Sequence, residues 1–85
     1  MTMIIETNDD TFGKNIRFLR RKHWMTRRQL AAVAKWDIHS IKAVEKGTLR
    51  QVDNHVLNLL CTVFDLPMMI LLKTDLKRDS SNPRK

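Results

Sequence analysis

The sequence predicts an all-α protein of five short helices, and three observations support this fold class. Apolar residues recur every three or four positions along most of the chain, which is the period of one face of an α-helix. Residues that begin or end helices separate these runs, among them Asp37, Gly47 and Pro67. With only two glycines and two prolines in 85 residues, the chain has few of the turn residues that a many-stranded β-protein needs.

The helices are placed by their apolar faces and their terminal residues. We predict them over about 11–23, 27–34 and 38–46, then after Asp53, and finally from Pro67. The first begins at Asp10 or Thr11, and the second is capped by Thr26. The first also carries Arg20 on its inner face. The expected inward-facing apolar residues are Phe12, Ile16, Leu19, Leu30, Ala31, Ala34, Ile41, Val44, Val56, Leu57, Leu60, Cys61 and Phe64. The last helix, PMMILL, is apolar all round.

The two ends of the chain differ from its middle. Residues 1–11 are predicted to be an N-terminal arm whose stretch TMIIET could form a short strand, which would be unstable alone. Residues 12–73 are the expected domain, and the polar tail 74–85 is predicted to be disordered. The start lacks the basic and long apolar segments of a signal peptide, and LPMMILL is too short to span a bilayer. A single cysteine fits a reducing compartment, so we expect a cytoplasmic protein.

The positive charge is concentrated in one block of the chain. Residues 12–50 hold eleven of the 16 lysines and arginines but two of the nine acidic residues. Such a block is typical of a face that binds a polyanion, although a solvated helix surface would have the same composition. Charge alone leaves the two readings open.

A short link joins the second and third helices. It is the stretch KWD, and so close a connection requires the two helices to cross sharply. Small side chains at Ala31 and Ala34 would let the third helix approach, while Ile41 and Val44 would hold it from below. A pair of helices joined in this way is the sequence form of a helix-turn-helix, and the outer face of its second helix can enter a DNA major groove.

Residues 12–72 resemble the Cro/C1-type (XRE) helix-turn-helix family. The resemblance rests on the segments FGKNIRFLR, QLAAVA, KWD, IKAVEKG and LNLLCTVFDL. The register holds without gaps from Phe12 to Gly47 and then needs one extra residue in the loop 48–53. The resemblance implies a compact five-helix, lambda-repressor-like DNA-binding domain with its helix-turn-helix at about 27–46.

The resemblance also implies structural roles at the junctions between helices. Arg20 and Glu45 match the family's buried ion pair, which would tie the recognition helix to the first helix. His23 and Trp24 match positions where the family packs the corner after that helix. Lys35 replaces the turn glycine and must adopt a left-handed backbone, at a cost of roughly 1–2 kcal/mol. Trp36 replaces a smaller apolar residue and is expected to cap the core rather than stack on DNA.

Two sets of DNA contacts follow from the resemblance. Phosphate contacts are expected at Thr26, Arg27, Arg28, Lys46 and Arg50. Base contacts are expected at Ile38, His39, Ser40, Lys42 and Ala43, with Ser40 ambiguous between base, phosphate and its own helix. His39 can donate to or accept from base edges, and Lys42 can donate to guanine. The set is poor in bidentate readers, so phosphate contacts should dominate the affinity.

These features predict a sequence-specific regulator of transcription that binds double-stranded DNA. We expect a repressor that binds an inverted repeat as a homodimer. The first candidate for the contact between the two copies is residues 67–73, and the N-terminal arm is a second candidate. The alternative is a protein-binding adaptor or an antitoxin-type module whose main partner is a toxin or another protein. No phosphate-binding glycine loop, carboxylate pair or nucleophile–base set is visible, and the scattered histidines with one cysteine lack zinc spacing. We therefore expect no enzyme activity, metal or cofactor.

Overall fold

The computed structural model describes residues 3–7 and 10–76, which form five helices and two short strands. In chain order these are β1 (Ile4–Glu6), α1 (Thr11–Lys22), α2 (Arg27–Ala34), α3 (Ile38–Lys46), β2 (Gln51–Asp53), α4 (Asn54–Phe64) and α5 (Met68–Lys73). All five helices lie where the sequence predicts them, within a residue or so at their ends. The helical fold class is confirmed, with a small sheet added to it.

The sheet pairs the N-terminal arm with the segment before α4. β1 and β2 are antiparallel, with Ile5 opposite Val52, and Val52 is buried. The predicted strand in TMIIET is therefore present at Ile4–Glu6, and its partner belongs to the same chain. β2 was not predicted, because three residues between a loop and a helix show no alternation that could indicate a strand. Positions 1–2 and 8–9 of the arm lie outside the described residues.

One core is shared by the helices and β2. The buried apolar residues are Phe12, Ile16, Leu19, Leu30, Ala34, Ile41, Val44, Val52, Val56, Leu57, Leu60, Phe64 and Leu71. At its edge, Ala31 and Cys61 pack against the core as expected of inward-facing residues, although both stay partly exposed. Burial raises the pKa of the Cys61 thiol, so it stays protonated at neutral pH and is a poor nucleophile.

Helix α1 packs closely against the end of α3 at Gly13. A Cβ atom at this position would lie 2.9 Å from the carbonyl carbon of Val44 and would overlap the carbonyl oxygen. Backbone atoms cannot move aside as the tip of a flexible side chain can. The close contact between α1 and α3 therefore requires glycine at this position.

Asn15 ties α1 to the end of α5 and is the buried polar residue of the core. Its side-chain amide donates to the carbonyl oxygens of Leu71 and Thr74, both at 2.7 Å, and its side-chain oxygen accepts from the backbone N–H of Leu76 at 3.1 Å. Residues 74–76 thus continue the packed domain, although the predicted disordered tail began at 74. The rest of that tail, residues 77–85, lies outside the described part of the chain.

Candidate functional site

Helix α2 begins and ends with well-defined caps. The Thr26 hydroxyl accepts from the backbone N–H of Gln29, and the Gln29 side chain accepts from the N–H of Thr26, which forms a capping box. At the other end Lys35 is left-handed, with φ 51° and ψ 47°, as the resemblance implied for a residue that replaces the turn glycine. The N–H of Trp36 then donates to the carbonyl of Ala31 at 2.9 Å. These bonds set the sharp turn into α3.

Helix α3 presents a polar outer face. Asp37 caps it by accepting from the N–H of His39, and Gly47 ends it in the left-handed region at φ 82°. Ile41 and Val44 are buried, so the helix is held from one side. His39, Lys42 and Lys46 are exposed on the other side.

Glu45 joins three helices through a cluster of charges. Arg20 of α1 meets it with two bonds, Nε to Oε2 at 2.9 Å and one terminal nitrogen to Oε1 at 3.1 Å. Arg27 of α2 donates from Nε to Oε1 at 3.2 Å. The Glu45 side chain is 1% exposed, that of Arg20 12% and that of Arg27 35%. Two guanidinium groups thus stabilise one buried carboxylate.

The same cluster holds the corner between α1 and α2. A terminal nitrogen of Arg20 donates to the carbonyl of Met25 at 3.0 Å. Arg20 therefore holds both α3 and the loop that leads into α2. The family resemblance implied the pairing of Arg20 with Glu45. Nothing in the sequence indicated the bond from Arg20 to Met25 or the bond from Arg27 to Glu45, because these depend on how the helices cross.

An open depression of about 730 Å³, which we call the corner depression, lies between the end of α1 and the starts of α2 and α3. Its lining residues are Arg20, Arg21, Trp24, Met25, Thr26, Arg27, Arg28, Ile38 and Lys42. It therefore brings together three of the predicted phosphate contacts and two of the predicted base contacts.

The other predicted contacts lie outside that lining. His39, Lys46 and Arg50 are exposed, whereas Ser40 and Ala43 are partly buried. The carbonyl of Ala43 accepts from the hydroxyl of Thr48 at 3.1 Å, so this side of α3 is joined to the following loop. Every predicted contact residue retains some exposed surface.

The aromatic residues near the turns take different positions. Trp36 is partly buried and its ring centroid lies 6.3 Å from that of Phe12, which fits the predicted core cap. The His23 ring lies 5.3 Å from Phe64 and packs at the corner. The expectation for Trp24 was wrong, since 92% of it is exposed. Its backbone is left-handed, with φ 58°.

The described residues also bear on metal binding and on membrane spanning. Within residues 3–7 and 10–76, no three His, Cys, Asp or Glu side chains are grouped as a metal site would require. In the same part of the chain, no helix has the length and apolar character needed to cross a membrane.

Comparison with solved structures finds a likeness to the restriction-modification controller protein C.AhdI from Aeromonas hydrophila. The TM-score is 0.62 at 28% sequence identity, over 72% of this chain and 91% of that chain. This likeness supports the predicted fold class. Neither the models of protein families nor the curated proteins contain a match to the chain. Membership of the Cro/C1-type family therefore stays a prediction from sequence resemblance.

Proposed function

We propose that the protein is a transcriptional regulator that binds double-stranded DNA with residues 12–73 and reads sequence with α3. The observation that supports this proposal is that α3 is held firmly on one side and exposed on the other. Its inner side is fixed by Ile41, Val44 and the Glu45 cluster, while its outer side exposes His39 and Lys42 next to a basic depression. Likeness to a controller protein supports a regulatory role.

The residues proposed to hold the DNA backbone surround α3. Thr26 and Arg28 are exposed at the start of α2, where the helix dipole also favours phosphate. Arg27 is bound to Glu45 through Nε, and the terminal amino groups of its guanidinium can still face a phosphate. Lys46 and Arg50 would hold the backbone on the far side of the helix. These contacts would set register and supply most of the salt-sensitive affinity.

The base-reading residues are proposed to be Ile38, His39, Ser40, Lys42 and Ala43. Lys42 is exposed and lines the corner depression together with the proposed phosphate contacts Thr26, Arg27 and Arg28. Its ammonium can donate to the O6 and N7 atoms of guanine. Ile38, which shares that lining, offers an apolar surface for a thymine methyl group.

A single short helix reads few base pairs, so we propose that two copies act together as a repressor on an inverted repeat. Helix α5 is the proposed contact, because Met69 is 63% exposed there. The arm is a weaker candidate, since one edge of β1 is already paired with β2 of its own chain. A cytoplasmic location follows from this role.

The test is selection of bound sequences from randomised duplex DNA by wild type, Lys42→Ala and Arg17→Ala. Arg17 is exposed on α1 and outside the corner depression, so its variant controls for the loss of one positive charge. We expect wild type and Arg17→Ala to enrich the same inverted repeat. Lys42→Ala should relax one symmetric position, with a loss of about 1–3 kcal/mol in discrimination there.

Binding that is salt-sensitive but blind to sequence would contradict the role of α3 in reading an operator. That result would favour the alternative, in which the basic face binds an acidic protein partner such as a toxin.

A further inference from the structure

Trp24 lies at the corner between α1 and α2, and its exposed side chain makes no contribution to the core. We propose that its indole ring packs against the sugar–phosphate backbone of DNA, beside the bases that α3 reads. The inference rests on the proposed function and deepens it, because it adds an apolar contact to a surface otherwise made of charges.

The exposure of Trp24 excludes a role in the core. At 92% it is the most exposed of the large apolar side chains in the described residues, ahead of Met3 and Met69. The second tryptophan of the chain, Trp36, is partly buried against Phe12. Trp24 therefore contributes surface rather than packing.

The backbone conformation at Trp24 is one that a bulky residue adopts only with strain. The residue is left-handed at φ 58°, and the N–H of Met25 closes the end of α1 by donating to the carbonyl of Arg20 at 2.8 Å. This is the conformation that ends many helices, and glycine adopts it without strain. A bulky aromatic residue there is strained and gains no core contact in return. Strain kept in this way is a reason to look for a function.

The surroundings of Trp24 define the partner. The ring lies in the lining of the corner depression with the cations of Arg21, Arg28 and Lys42. DNA backbone alternates anionic phosphates with the apolar carbons of deoxyribose, so it can satisfy the arginines and cover the ring together. Because Lys42 and Ile38 share the lining, a duplex read by α3 would pass over the depression.

A fluorescence measurement tests whether the ring is covered. In Trp36→Phe, Trp24 is the sole tryptophan, and its emission should be quenched freely by acrylamide in the unbound protein. Adding the duplex selected by wild type should lower the quenching constant several-fold. The matched Trp24→Phe variant, in which Trp36 reports, should show little change. Full access of acrylamide to Trp24 in the complex would overturn the inference.

Affinity measurements with Trp24→Gly and Trp24→Phe separate contact from strain. Trp24→Gly should bind the selected duplex roughly tenfold more weakly, although its Tm should be no lower than that of wild type because glycine relieves the strain. Trp24→Phe should keep most of the affinity. If Trp24→Gly binds as wild type does, Trp24 makes no useful contact and the inference fails while the proposed function stands. If wild type itself selects no duplex, the proposed function fails and this inference with it.

Discussion

Glu45 links α3 to the two helices that precede it in the chain. Its carboxylate is almost fully buried, and it bonds to guanidinium groups from α1 and α2. Removing one partner of a buried pair leaves the other charge without compensation, which is more costly than never having had the pair. The two arginines are not equivalent, because the side chain of Arg20 is 12% exposed and that of Arg27 is 35% exposed.

Glu45→Gln should therefore lower the free energy of unfolding by about 3 kcal/mol. Gln keeps the shape of the side chain but cannot neutralise Arg20 and Arg27. Arg27→Gln, the matched control, should cost less than about 1 kcal/mol, since Arg27 is partly solvated and Arg20 still satisfies Glu45. Urea denaturation followed by circular dichroism measures both. Equal losses for the two variants would contradict this expectation, because the bond from Arg27 alone would then account for the whole contribution of Glu45.

At the scale of elements, the close approach of Gly13 to Val44 sets how α1 packs against α3. Gly13→Ala should destabilise the domain by at least 1–3 kcal/mol, the usual range for overpacking, even though alanine is the better helix former by about 1 kcal/mol. The cause is the overlap of the new Cβ with the backbone of Val44.

Gly47→Ala is the matched control for Gly13→Ala. Gly47 is left-handed, but among the described residues its added Cβ would meet only the Cβ of Asp10, at an ordinary contact distance of 3.6 Å. It should cost about 1 kcal/mol through backbone strain alone. Thermal and urea unfolding of both variants give the order. A Gly13→Ala protein as stable as wild type would mean that α1 and α3 can separate without loss.

The helices could be predicted because each carries its own signals. Thr26, Asp37 and Asp53 cap helices α2, α3 and α4 with side-chain bonds, and apolar spacing marks the buried faces. β2 could not be predicted, since its strand exists through pairing with residues about fifty positions earlier. The bonds of Asn15 to α5 are likewise long-range, and a polar residue in an amphipathic helix gives no sign that it will be buried.

The candidate site shows the same division between local and long-range information. The left-handed backbone of Lys35 was expected from the family resemblance, which has a glycine at this turn position, and the structure shows that conformation. The orientation of Trp24 did not follow, because the sequence HWM contains no glycine to mark the end of α1. The exposure of a side chain depends on the backbone conformation that the surrounding helices impose. Sequence therefore predicts the residues near the site better than their orientation.

At the scale of the whole molecule, the proposed function requires more DNA sequence specificity than one short helix can supply. The proposed answer is a pair of domains joined through α5, where Leu71 is buried while Met69 is exposed. The side chain of Asn15 in α1 bonds to the backbone of Leu71 and Leu76, and so holds α5 and the residues after it against α1. A rigid α5 would fix the distance between two copies of α3, which an inverted repeat requires.

Met69→Gln should weaken this dimer at least about tenfold, because a two-fold contact loses the same apolar side chain from both copies. Sedimentation equilibrium measures the dissociation constant. Val33→Gln is the control, since Val33 is 47% exposed on α2, away from the proposed contact, and its loss should leave the dimer unchanged. Binding to a full inverted repeat should weaken in Met69→Gln, while binding to an isolated half-site should not. A monomeric wild type that still binds the full repeat would show that the two copies meet only on DNA.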